Sequence, residues 1–233
     1  MSDIAITESH EHHPFLQHHF EDLGQQHSSA NLGMWTFLGT EVMFFGGLFT
    51  GFIVYRFIDP TAFAAACRQL DVQLGTINTF VLLTSSLTMA LAVHAGQLGH
   101  AKGQVRYLLL TMLLATAFLG IKSFVYYEEY HKHLVPGPHF STAALTIPAG
   151  ATPLVIKQTE LFFVFYFFMT GLHAFHMIIG IGVMIWMAIL ASRGRFTREY
   201  HTPLELTGLY WHFVDMVWVF LFPLLYLIDL HHK

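Results

Sequence analysis

The chain has 233 residues, 54% hydrophobic and only 11% charged, with a formal net charge of −4 and a mean hydropathy of +0.51. A soluble chain carries about 25% charged residues, so this much apolar surface cannot be buried inside a water-facing shell, and the composition is that of an integral membrane protein. Lys and Arg occur singly without a basic stripe, which excludes nucleic acid as a partner; the single cysteine, Cys67, excludes an intrachain disulfide, a Cys-rich zinc site, an iron–sulfur cluster and a dicysteine copper centre.

Residues 1–30 hold six histidines and five acids but no Lys or Arg, and predict a short solvated arm. A signal peptide needs a basic start followed by an apolar run, and neither is present. The spacing of His10, His12, His13, His18, His19 and His27 is irregular, which favours a polar interfacial tail over a dedicated metal site. Five apolar stretches follow, at 32–55, 75–98, 107–127, 161–191 and 207–230, each long enough for the ~20 residues that cross a bilayer core. The fourth exceeds that minimum and is expected to tilt or to project beyond the membrane. Backbone groups in lipid must be satisfied within their own segment, and stretches this long are not barrel strands. The predicted fold over residues 31–230 is therefore an all-α polytopic membrane bundle of five transmembrane helices. The loop at 128–157, with Pro136-Gly137-Pro138 and Pro148-Ala149-Gly150, predicts a cap without regular structure.

Basic residues set the expected orientation. Lys102, Arg106, Arg193, Arg195 and Arg198 fall on one side, in short loops, and Arg56, Arg68, Lys132, Lys157 and Lys233 on the other. The rule that positive loops stay inside applies best to short loops, which places the N-terminus in the cytoplasm and the C-terminus outside.

An ionisable group at depth costs at least ~2.5–3.5 kcal/mol, so each one requires an explanation. Glu41 lies near the middle of the first span; His173 and His176 share a face of the fourth; Glu205, His212 and Asp215 lie on one stripe of the fifth, the last two centrally. The depths predict that Glu41, His173, His176, His212 and Asp215 face inward where these helices meet. Such a layer admits a metal site, a hydrogen-bonded interhelical lock, or a proton-handling or lipid-contacting role. A repeated Glu-x-x-His pair on two helices, which would favour metal, is missing. Glu41, flanked by Val42, Met43, Phe44 and Phe45, must be either protonated or approached by a cation. Lys122, nearer the outer end of the third span, is expected to snorkel outward or to pair with Glu128 or Glu129. Asn78, Ser85 and Thr88 share one face of the second span and predict interhelical hydrogen bonds, while Gly47 and Gly51 predict a close approach on the first.

The strings LGTEVMFFGGLF (38–49), TINTFVLLTSSLTMALAVHA (76–95), YYEEY (126–130), TGLHAFHMIIG (170–180) and GLYWHFVDMVWVFLFPLLYL (208–227) resemble subunit III of the haem–copper cytochrome oxidases, in order over residues 30–230. The resemblance implies an accessory subunit of a proton-pumping terminal oxidase in aerobic respiration, associated with catalytic subunit I and subunit II and open to a respiratory supercomplex. It implies no cofactor in this chain, with haem and copper in the partner subunits, bound phospholipid, and a bacterial plasma membrane. It also implies that Glu41 is the family's carbodiimide-reactive carboxyl, that His173, His176, His212 and Asp215 match family positions, and that the subunit supports proton uptake and protects the oxidase during turnover. Two departures stand out: the family's first two helices have no counterpart, as in five-helix forms from quinol oxidases, and Val125 stands where many members carry glutamate. A protein associated with nitric oxide reductases, or an independent proton or ion transporter, would share parts of this pattern; five spans, however, cannot halve into the inverted repeats common in transporters.

Overall fold

The computed structural model describes residues 19–141, 153–196 and 200–227. The expectations for His10, His12, His13 and His18, for Pro148-Ala149-Gly150, and for Arg198 and Lys233 lie outside the described residues. Among those described, the elements are α1 (Leu23–Ile58), α2 (Pro60–Cys67), α3 (Val72–Gln97), α4 (Ala101–His131), α5 (Pro153–Ser192) and α6 (Thr202–Phe222), the last running into a π-helical turn at Pro223–Leu227. No strand occurs among the described residues, and five helices are long and apolar enough to cross a membrane. The expected all-α, five-span class is thus observed.

Aspartates start three of these helices. Asp22 Oδ1 accepts from the Gln25 amide at 2.6 Å, Asp59 from Ala62 at 3.3 Å, and Asp71 from Gln73 and Leu74 at 2.8 and 3.1 Å. Each satisfies first-turn N–H groups that have no partner inside the helix. Helix α1 begins at Leu23, so the last eight residues of the expected arm are helical. At the far end of α1, Asp59 followed by Pro60 stops one helix and opens α2, a short and mostly buried helix that sequence reading did not anticipate. The turns after α3 and α5 use Gly99 and Gly194 at φ 73° and 69°, a left-handed conformation that glycine adopts without a Cβ penalty.

Helix α6 is the hub. It packs against α1, α3 and α5, while α4 closes the bundle between α3 and α5, and α2 lies on α5. Half of the central α6 window is buried, against 17% of α1, which leaves most of α1 facing outward. Close approach around α6 is set by Gly180 and Gly208. A Cβ at Gly180 would lie 2.8 Å from Trp211 Cζ3, and one at Gly208 would lie 2.9 Å from Val93 Cγ2. Gly47 has no neighbour within 4 Å and Gly51 meets only the Phe165 ring, so the tightest glycine contacts are not on α1, where the small-residue step predicted one. The interhelical bonds expected of α3 are present: Asn78 Nδ2 donates to Phe118 O at 3.4 Å, Ser85 Oγ accepts from Trp211 Nε1 at 3.0 Å, and Thr88 meets Thr111 Oγ1 at 2.8 Å.

Candidate functional site: the buried polar groups of the bundle

The structure distributes the predicted polar residues among three seams. On the α1–α5 seam, Glu41 Oε2 lies 3.2 Å from His176 Nε2. The contact is at ion-pair distance without the alignment of a hydrogen bond. On the other side of the ring, His176 Nδ1 is 2.9 Å from Leu172 O. A carbonyl only accepts, so Nδ1 carries a hydrogen and Nε2 is the atom turned to the carboxyl. With one further proton between them, Glu41 and His176 form either a carboxylate–imidazolium pair or a carboxylic acid beside a neutral imidazole, and both arrangements have zero net charge. The Phe45 ring covers the imidazole edge-on at 5.4 Å, and Tyr210 Oη donates to His176 O at 3.0 Å, which fixes α6 to the same seam. The partner that Glu41 needed in the sequence is therefore the second histidine of TGLHAFH, whichever of the two holds the proton.

Beside this pair, Val42, Phe45, Gly46, Phe49, Phe213 and Met216 line most of an apolar groove of about 290 Å³ between α1 and α6. Its lining offers almost nothing to hydrogen-bond, so it suits a hydrocarbon chain.

On the α3–α6 seam, His212 Nδ1 meets Ser86 Oγ at 2.7 Å. Ser86 also lies alongside Asp215, but neither Asp215 oxygen has an aligned hydrogen-bond partner. Asp215 is 3% exposed. Glu205 sits ten residues nearer the start of α6, where it accepts from Gln97 Nε2 at 2.9 Å and meets His201 Nε2 at 3.2 Å. Two surface cavities border it, a larger one of about 690 Å³ reaching to His27 and a smaller one of about 350 Å³ reaching to His212.

His173 is buried between the Phe118 and Trp218 rings, with centroids 5.7 and 5.3 Å away, and neither ring nitrogen has a hydrogen-bond partner. The five residues predicted to share a layer are thus buried or half-buried, but only Glu41 and His176 form a pair. No group of three His, Cys, Asp or Glu side chains among the described residues converges as a metal-ligand set.

Of the two alternatives for Lys122, the structure overturns snorkelling and keeps Glu129 as its electrostatic partner. Lys122 does not snorkel: it is 3% exposed, and its Nζ donates to Tyr166 Oη at 2.7 Å and Tyr226 Oη at 3.2 Å. Four rings surround the ammonium, with centroids at 4.4 Å (Tyr166), 5.0 Å (Tyr126), 5.6 Å (Trp218) and 5.8 Å (Tyr226). Aromatic faces attract a cation, and the two hydroxyls supply directed acceptors. Glu129, seven residues on along α4 and 4% exposed, joins the cluster through Tyr166. It lies one turn beyond Val125, so a buried carboxyl is present close to where that departure removed one.

Comparison with known proteins agrees with this architecture. The family profile described as cytochrome c oxidase subunit III matches residues 150–229, which span α5 and α6. Quinol oxidase subunit 3 of Bacillus subtilis (strain 168) is 34% identical over 85% of this chain and 87% of its own length. Cytochrome c oxidase subunit 3 of Alkalihalophilus pseudofirmus is 33% identical over 84% and 85%, and that of Loxodonta africana is 32% identical over 85% of this chain and 69% of its own length. On this likeness over most of its length, the chain belongs to the subunit III family of haem–copper oxidases.

Proposed function

We propose that the chain is a non-catalytic, cofactor-free subunit that braces catalytic subunit I beside subunit II, holds phospholipid, and sustains proton uptake and durability during turnover. Haem and copper reside in the partner subunits, and the electron donor is selected there as well. Relatives named as quinol oxidase and as cytochrome c oxidase subunits match this chain about equally well. The observation that carries the reading is the Glu41–His176 pair, partly accessible on the outward-facing helix and adjoining an apolar groove. Such a pair stores a proton without net charge and faces lipid or a partner helix. In this proposal the protein lies in a bacterial plasma membrane with its N-terminus in the cytoplasm.

The decisive experiment is purification of the native complex with Glu41→Gln. The expected result is full assembly and most of the initial oxygen-reduction rate, with the deficit appearing as slower proton uptake or a shorter active lifetime. Immediate and complete loss of oxygen reduction in an assembled complex would overturn the accessory role. The isolated chain is expected to show no visible absorption, and a haem or copper band travelling with it would refute the cofactor assignment.

A further inference from the structure

At the end of the bundle where α4 starts and α5 stops, a cavity of about 340 Å³ is lined by Ala101, Lys102, Val105, Arg106, Ala191 and Ser192. Lys102 and Arg106 are one helical turn apart, both are exposed, and neither forms an ion pair among the described residues. Arg193 follows Ser192 directly and is also exposed. His100 places no side-chain cap on α4, so the positive end of that helix adds to the same field. No carboxylate lines the cavity. It is a basic pocket at the level where two membrane-spanning helices end, the position at which anionic headgroups are met.

A second observation separates a lipid from a free anion. Continuing along the face of α4 that carries Lys102 and Arg106, the steps of three and four residues lead to Leu109 and Leu113, both exposed. From Ser192, the matching steps on α5 lead to Ile189 and Ile185, also exposed. On both helices, the face that carries the pocket residues thus continues into the span as exposed apolar side chains. An inorganic anion uses only the first feature; an acylated phosphate uses both. None of these residues lines the groove beside Glu41.

We propose that the α4–α5 end pocket is a binding site for an anionic phospholipid, with Lys102 and Arg106 on the headgroup phosphate and one acyl chain along the exposed Leu109, Leu113, Ile185 and Ile189. The site is tested by native mass spectrometry of the purified full chain, offered phosphatidylglycerol or phosphatidylcholine with identical acyl chains. Wild type should retain phosphatidylglycerol about tenfold better. Lys102→Gln with Arg106→Gln should remove most of that preference, whereas Lys157→Gln, at the opposite end of α5, should leave it intact. Should the double variant fail to fold, wild type alone decides: retention should fall several-fold as salt rises from about 0.05 to 0.5 M, because screening shortens the reach of exposed charges. Equal retention of the two lipids, an unchanged preference in a folded double variant, or a flat salt response would each overturn the site. Retention of inorganic phosphate without any retention of phosphatidylglycerol would refute the lipid and leave only an anion pocket.

Discussion

Replacing Glu41 by Gln and His176 by Phe, singly and together, measures what the polar pair contributes. Two unit charges 3.2 Å apart in a medium of effective dielectric ~20 attract by about 5 kcal/mol. That is a ceiling, because both side chains remain partly accessible, at 19% and 12%, and lose hydration on pairing. The pair can also fall back on a neutral acid beside a neutral imidazole, so breaking it never strands a full charge. Together these leave an expected coupling of ~1–3 kcal/mol. Phe at position 176 keeps the edge contact with Phe45, which limits the packing loss. Glu41→Gln keeps the volume of the carboxyl, so each single change removes the pair and little else. Unfolding of the purified chain in mixed micelles, titrated with a denaturing detergent and followed by tryptophan fluorescence, supplies the four stabilities of the cycle. A hydrophobic carbodiimide gives an independent reading: His176→Phe should increase labelling of Glu41, no longer engaged by the imidazole, and Glu41→Gln should abolish it. Costs that add within ~0.5 kcal/mol, with labelling unchanged in His176→Phe, would refute the pairing.

Lys122→Met should destabilise the bundle by ~1–3 kcal/mol, because Tyr166 and Tyr226 lose a charged donor in a sealed site; a snorkelling lysine would cost under ~0.5 kcal/mol in the same unfolding assay. Gly180→Ala should force Trp211 aside and cost ~1–3 kcal/mol, with a red shift in tryptophan emission, whereas Gly47→Ala, which meets nothing, should be neutral. A reporter fused after residue 233 should lie outside the cell and one fused before residue 1 inside, and the reverse placement would show that the loop charges mislead.

Features carried by a single helix were legible in the sequence. Asn78, Ser85 and Thr88 recur at helical spacing, so their shared face and its interhelical bonds followed from periodicity alone, although their partners on α4 and α6 did not. Depth counting likewise put Glu41 and His176 within reach of each other. What it could not supply was the rotation of one helix about its axis relative to another. That rotation sends His173 between two rings and His176 toward Glu41, although both share a face of α5. The Lys122 cluster was hidden for the same reason: its hydroxyls come from Tyr166 and Tyr226, 44 and 104 residues away in the chain. Helix α2 escaped notice because an eight-residue apolar run is too short for its period to declare itself.

The wide turn at Pro223–Leu227 has a bearing on Lys122. Proline lacks the N–H that continues a regular helix. Were α6 to continue at 100° per residue, Tyr226, eight positions after Trp218, would point about 80° away from it around the axis. A π turn holds about 4.4 residues, so it advances some 18° less at each step, and four such steps cancel about 70° of that divergence. Trp218 and Tyr226 consequently project in nearly the same direction, two levels of one wall, and both rings stand within 6 Å of the same ammonium. At this end, the Cys67 thiol donates to Leu225 O at 3.0 Å, so α2 occupies a carbonyl of the widened turn. The proline thus acts as an angular spacer: restoring a regular helix at this point would turn the tyrosine hydroxyl away from the buried lysine without altering any residue that touches it.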